Sequence, residues 1–239
     1  LVIAADRPLD DAVGTLRAYR AGVDAVQVDL STVEGVDRLL AAVGDRPVEA
    51  LLANAGQGVG RAFLDREFDE LRRVIDTNVT GTLYLLHAVC RRMHARGRGR
   101  VLVTGSIAGY MPGSFHAVYN ATKAFIDSFA WALRTELEDT EFFEHAGLED
   151  TRLAQQKKDD PAMVARLGFE AMMAGEGGVV TGLRNKLQVA AARVTPAPAM
   201  AALHGALARP GSAQPDSADA VPAQSGSSQR GADGARPGA

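Results

Sequence analysis

The chain has 239 residues, 46% of them apolar and 23% charged, with a net charge of −3. That is enough for one α/β domain with a sizeable core, and it excludes a broad electrostatic attraction to nucleic acid or an anionic membrane surface. The single cysteine, Cys90, excludes an internal disulfide; there is no run of about 18 apolar residues and no basic-then-apolar leader, so a cytoplasmic, reducing setting is the expectation.

Residues 1–5 read as a strand already under way at Leu1, which points to a segment missing upstream. Residues 8–21 read as a helix, with Pro8 early and Gly22 just past its end. A strand over 24–28 leads into Asp29 and Leu30. Ser31 is the expected cap of the next helix, with Glu34 three residues on in a capping-box pattern, and that helix runs to about residue 43. Residues 48–53 form a strand ending in Asn54-Ala55-Gly56. One long helix is expected over 68–95; it carries Asn78-Val79-Thr80-Gly81 and ends at the turn 97–99. Cys90, inside it, reads as a buried and inert thiol.

Val101, Leu102 and Val103 read as a buried strand that stops at Thr104-Gly105-Ser106. Residues 117–138 follow as a helix rich in Ala, Leu and Phe, without interior Gly or Pro. Tyr119 comes thirteen residues after Ser106, and Lys123 four after Tyr119. Residues four apart share a helix face, so the Lys123 ammonium can lie one turn beyond the Tyr119 phenol. A phenol with a pKa of about 10 exchanges protons poorly near neutrality, and a nearby cation favours the phenolate. Tyr119 then suits general acid/base work, and Ser106 suits donation to a carbonyl oxygen as charge builds there. The competing reading is a surface Tyr and Lys on an amphipathic helix.

Strand and helix alternating at this spacing imply a parallel sheet covered on both faces, with its ligand beyond the carboxyl ends of the strands. Asp6, Asp29, Asn54 and Ser106 all fall at such ends, although each alone also reads as a turn residue. Asp159-Asp160-Pro161 opens a helix over 161–174, whose stripe of Met163, Leu167, Ala171 and Met172 or Met173 is read as core. A short strand is expected over 177–181 and a last helix over 183–193. From about residue 196 the composition shifts, and 196–239 reads as a low-complexity, disordered tail in which 209–239 has Val221 as its only bulky apolar residue. The five histidines have no metal-ligand spacing, so no metal is expected; His116 reads as a plain loop residue, with pocket lining as the alternative. Arg91, Arg92, Arg96, Arg98 and Arg100 read as a solvated helix end.

Ser106, Tyr119-Asn120-Ala121-Thr122-Lys123, Asn54-Ala55-Gly56 and Asn78-Val79-Thr80-Gly81, in this order and spacing, resemble the short-chain dehydrogenase/reductase family over about residues 1–195. The resemblance implies a Rossmann-like, doubly wound parallel sheet, incomplete at its N-terminus, with a lid over about 141–178. It implies an oxidoreductase that moves a hydride between NAD or NADP and the alcohol or carbonyl group of a small, apolar substrate. Tyr119 would be the general acid/base. Lys123 would lower its pKa and hold the nicotinamide ribose, Ser106 would polarise the substrate oxygen, and Asn78 would help hold a water in the proton relay. Asp29 and Leu30 would meet the adenine, and Asn54, Ala55 and Gly56 would steady the sheet beside the cofactor. Asp6 would bind the adenosine ribose and favour NAD, against the pull of Arg7 towards a 2′-phosphate. The family also implies a homodimer or homotetramer, and nothing in it implies a nucleic-acid or membrane partner.

Two segments of the family pattern are absent: an initial strand with its Gly-rich, pyrophosphate-binding turn, and a strand with a Pro-Gly loop near residue 140. Gly56-Gln57-Gly58-Val59-Gly60 does not replace that turn, because Arg61 stands where the third glycine belongs and the strand before it is the wrong one. The missing strand belongs mid-sheet, so the strands over 1–5 and 48–53 should either separate or pair directly. The alternative function is a catalytically inactive, truncated paralogue or fragment of such an enzyme, at most self-associating.

Overall fold

The computed structural model describes residues 1–19, 22–137 and 160–208. In chain order the elements are β1 (Val2–Ala5), α1 (Asp10–Arg17), β2 (Asp24–Gln27), α2 (Val33–Val43), β3 (Ala50–Ala53), α3 (Phe68–Ile75), α4 (Thr82–Arg96), β4 (Arg100–Val103), α5 (Ala117–Leu137), α6 (Pro161–Ala174), α7 (Leu183–Val194) and α8 (Ala197–Ala208). The fold is α/β with parallel strands, as expected. Most of the region read as a lid, at 141–159, the gap near residue 140, and the tail at 209–239 lie outside the described residues.

The strands form two separate parallel pairs, β1–β2 and β3–β4, with Val2 opposite Asp24 and Ala50 opposite Arg100. Of the two outcomes for strands 1–5 and 48–53, separation is the one realised. Both pairs still lean on one apolar cluster. Val36 and Leu39 of α2, Leu85, Leu86, Val89, Cys90 and Met93 of α4, and Val101 and Val103 of β4 are buried in it, and Val2, Ala4 and Leu51 pack against its edge. Positions 85, 86, 89, 90 and 93 make one stripe of α4, which is why this helix serves as the core's spine.

The long helix expected over 68–95 is interrupted by a π-turn at Asp76–Gly81, between α3 and α4. The wider turn frees carbonyl groups, and two hydroxyls answer them: Thr77 Oγ1 donates to Arg73 O at 2.9 Å and Thr82 Oγ1 to Thr77 O at 3.2 Å. Gly81 then lies so near the Leu30 carbonyl that an added Cβ would come within 1.9 Å of its oxygen, and Gly35 meets the Asp29 carbonyl at the same distance. The Asp29–Leu30 backbone is thus pinched between α2 and the π-turn.

Three further expectations are corrected. The cap of α2 is Thr32, whose Oγ1 accepts from Gly35 N at 3.0 Å, because Ser31 is already committed to Asp29. Residues 177–181 form no strand: Gly177 passes over the Trp131 ring, and Thr181 O accepts from Asn185 Nδ2 at the start of α7. The stretch from residue 196, read as tail, is helical through Ala208, since Met200 and His204, one turn apart, are both buried. In α6, Ala171 and Met172 are the buried members of the stripe and Met173 is exposed; Arg100 Nη1 fastens this helix to β4 through Met172 O at 2.9 Å.

Candidate active site

At the carboxyl end of β4 the pairing with β3 runs one residue further, Thr104 N donating to Ala53 O at 3.1 Å. Thr104 Oγ1 then donates to Asn54 Oδ1 at 2.8 Å, tying the two strand ends together. Ser106 follows in extended backbone and caps the 3-10 turn Ile107–Tyr110, its Oγ accepting from Ala108 N at 3.2 Å. The hydroxyl is buried. Gly109 of that turn lies directly against the backbone of Lys123, so the loop carrying Ser106 and the helix carrying Lys123 are in register with each other.

Lys123 is buried, and its Nζ donates to Thr104 O at 2.8 Å. The same nitrogen lies 5.9 Å from the centre of the Tyr119 ring. The ammonium is therefore fixed between the end of β4 and the phenol-bearing turn of α5. A buried cation needs such a fixed acceptor to remain charged. Tyr119 itself is half-buried.

Asn78 sits in the π-turn and is buried. Its carboxamide grips the Gln57 backbone on both sides: Oδ1 accepts from Gln57 N and Nδ2 donates to Gln57 O, each at 2.8 Å. Nδ2 also donates to Thr122 Oγ1 at 3.0 Å, beside Lys123. Gln57 Nε2 adds bonds to Arg73 O and Thr77 Oγ1. Residues 56–60 are thereby strapped along the α5 face. Gly56 abuts Asn78 Oδ1 and Lys123 Nζ, Gly58 abuts the Tyr119 ring, and Gly60 abuts the His116 ring. At Gly58 an added Cβ would come within 2.9 Å of Tyr119 Cδ2, so only glycine lets the strap lie flat on the phenol. The sequence shows these glycines only as a run that does not replace the Gly-rich turn; that each meets a side chain at or beside α5 appears only in the fold.

The residues expected at the adenosine end are placed apart from this cluster. Asp6 follows β1 and is exposed, with Arg7 at 3.9 Å as its ion-pair partner, a contact of little energetic weight at such exposure. Asp29 accepts from Ser31 N and Oγ at 2.9 and 2.6 Å and pairs with Arg73 Nη2 at 2.8 Å. The Ser31 bonds, aided by Arg73, hold its carboxyl below the usual carboxylate range. Its oxygens are thus engaged within the protein. Leu30 is half-buried against the core, and Asn54, Ala55 and Gly56 are exposed.

A dinucleotide was the cofactor expected here, and its fit differs along its length. The buried ammonium beside exposed Gly56 suits ribose hydroxyls, and the exposed Asp6 carboxylate suits those of the other ribose. No Gly-rich strand-to-helix turn for the pyrophosphate occurs among the described residues, since the strap follows β3 and leads into a 3-10 turn at Phe63–Asp65. Cys90 is buried and its thiol is pushed up to about 12 by desolvation, as an inert thiol should be. Among the described residues no group of three potential metal ligands occurs, and no helix is long and apolar enough to cross a membrane.

His204 was missed by sequence reading. Its signal was present, in Met200, His204 and Leu207 at helical spacing, but was masked by the small-residue composition around it.

The family model described as short chain dehydrogenase matches residues 1–148. An uncharacterized oxidoreductase of Myxococcus xanthus is 36% identical over 129 residues, covering 52% of this chain and 50% of that protein. The 17-beta-hydroxysteroid dehydrogenase type 1 of Mus musculus is 32% identical over 131 residues, 55% of this chain and 38% of that protein. The chain thus spans half or less of the length of these curated relatives. Among solved structures, a 7beta-hydroxysteroid dehydrogenase superposes with a TM-score of 0.74 at 22% identity, covering 85% of this chain and 86% of its own, a likeness of fold. A short-chain dehydrogenase from Sphingobium yanoikuyae in complex with NADPH superposes with a TM-score of 0.66 at 25% identity, covering 77% and 78%.

Proposed function

From the premise that the chain belongs to the short-chain dehydrogenase family, we propose that it is an NAD(P)-dependent oxidoreductase acting on the alcohol or carbonyl group of a small, apolar substrate. The observation that carries this reading is the fixed Lys123 ammonium, 5.9 Å from the Tyr119 ring and bonded to Thr104 O.

Tyr119 gives a proton to the substrate oxygen in reduction and takes it in oxidation. The Lys123 charge favours the phenolate through which both directions pass. Ser106 donates to the same substrate oxygen as negative charge grows on it. Asn78 positions the strap and, through Thr122, the turn of α5 between the phenol and the amine. Lys123 and the exposed 54–56 backbone hold the nicotinamide ribose, and Asp6 the adenosine ribose, with a lean to NAD from the Asp6 charge. The bound nicotinamide supplies or accepts the hydride. Exposed Phe125 and Trp131 on α5 support self-association along that helix.

A second reading, a non-catalytic member of the family, is favoured by the split sheet and by the pyrophosphate turn that the described residues lack. Titration of the full chain with NADH and NADPH, followed by cofactor fluorescence, separates the two. Saturable binding with the higher affinity for NADH is the expected result. A folded sample that binds neither would overturn the oxidoreductase reading.

A further inference from the structure

Two stretches of the surface carry large apolar side chains that the described residues leave uncovered, and they differ in charge. The first is the turn that leads from the strap into α3. Phe63, Leu64 and Phe68 are 56%, 90% and 70% exposed there. Arg66 holds this turn from beneath: its side chain is mostly buried, its Nε donates to Gly60 O at 2.7 Å, and its Nη1 is neutralised by Glu70 at 3.0 Å. Asp65, Glu67 and Asp69 are exposed beside the three apolar residues. Among the described residues only Asp69 of these has an ion-pair partner, Arg72 at 3.9 Å. Arg61 is the exposed cation of the stretch, so the turn carries an excess of carboxylate.

The second is the outer face of α7. Leu183, Leu187 and Val194, four and seven residues apart, share one side of the helix and are 75%, 63% and 83% exposed. Arg184 and Lys186, both exposed, flank that stripe on opposite sides, and α7 contains no Asp or Glu. The rest of the helix is anchored. Val189 is buried, Asn185 Nδ2 donates to Thr181 O at 2.9 Å, and the Arg193 guanidinium lies over the Tyr110 ring, 5.6 Å from its centre. α8, which follows, is seated as well. The His204 and His116 rings meet edge to face, their centres 6.1 Å apart, and His204 Nδ1 donates to Ser114 O at 3.0 Å, since a carbonyl only accepts. The α7 stripe is therefore left over after both helices have packed.

These six side chains are grouped, not scattered singly as on an ordinary surface. One patch is rimmed by carboxylates and the other by cations, so the two are complementary. We propose that the 63–69 turn of one copy docks on the α7 face of a second copy, head to tail. The contact is heterologous, because the two faces differ and every copy offers one of each. It is distinct from association along α5. Neither face contains a residue of the cluster around Tyr119, so the contact stands or falls independently of the oxidoreductase reading.

The test is sedimentation equilibrium of the full chain and of two variants at exposed positions. One is Leu183→Glu with Leu187→Glu on α7, the other Leu64→Lys with Phe68→Lys on the turn. Circular dichroism and melting curves check that each keeps the wild-type fold; Lys186→Glu or Glu67→Lys replaces a double variant that does not. Wild-type mass should rise with concentration, and the dissociation constant should weaken about tenfold between about 0.05 and 0.5 M salt. Each variant alone should lose that rise, its dissociation constant weakened by at least about tenfold. An equimolar mixture of the two should regain the rise but stop at one pair, because each variant keeps one intact face. Equal masses for the wild type, the variants and their mixture overturn the proposal. Loss in both variants without recovery in the mixture overturns the head-to-tail arrangement. A rise that salt leaves unchanged or strengthens overturns the charge pairing. Co-sedimentation of a monomeric wild type with phosphatidylglycerol vesicles, abolished in the α7 variant, assigns that face to an anionic lipid surface and likewise overturns the proposal.

Discussion

In the β3–β4 pair, Ala53, Val101 and Val103 are closed off from solvent, whereas no residue of the β1–β2 pair is fully buried. The first pair feeds directly into the Thr104–Lys123 and Thr104–Asn54 bonds, and Asn78 and the strap complete the cluster around Tyr119. The second pair ends in an exposed Asp6 and in an Asp29 already occupied by Ser31 and Arg73. On the proposed reading, chemistry and cofactor recognition thus rest on unequal supports. Proton transfer needs three groups held rigidly, and the core supplies that rigidity. The adenosine end needs an exposed surface, and it draws little support from the core.

The largest difference should come from removing the central charge. Lys123→Met keeps the side-chain length and should lower turnover by about a thousandfold, within the range for acid/base assistance. A variant that retains wild-type turnover would show that the rigid half is not the catalytic half. Next come matched truncations in the two strand pairs. Val101→Ala should cost about 2 kcal/mol in denaturant unfolding, and Val26→Ala less than about 1 kcal/mol, because Val26 is only half-buried. Equal losses would mean that the two pairs are equally supported.

Much of this contrast was legible in the sequence. The Ser106, Tyr119 and Lys123 spacing placed the rigid half, because a strand end and one helix face are local features. The two separate pairs are one of the two outcomes that the sequence offered for strands 1–5 and 48–53. What was not legible depends on contacts distant in sequence. The π-turn is set by Gly81 meeting Leu30 and by hydroxyls reaching back four and five residues. The cap moved from Ser31 to Thr32 because Asp29 competes for the Ser31 hydroxyl. α8 was hidden in a run of Ala and Pro whose burial becomes visible only once Ser114 is in place.

A smaller effect sharpens the view of the adenosine end. Asp6→Asn removes an exposed charge and should weaken the preference for NADH over NADPH by no more than about fivefold. A much larger change would mean that the β1 end is more ordered around the cofactor than its exposure suggests. The smallest effect concerns α8. His116 and His204 are both held below their ordinary value of 6.5, so the unfolded chain binds more protons than the folded one as pH falls below that value. Stability should be level above about pH 6.5 and decline below it. His204→Asn, which keeps a donor to Ser114 O, should flatten part of that decline in melting curves taken between pH 8 and pH 5. An unchanged slope would remove His204 from the titrating pair.

The most direct test compares cofactor-linked turnover of the wild-type chain with that of Tyr119→Phe, at equal cofactor occupancy set by fluorescence titration. Only the hydroxyl is lost, with the ring still beneath Gly58. A fall in turnover of at least about a hundredfold with unchanged cofactor binding is the predicted result. Turnover at the wild-type rate would contradict the account.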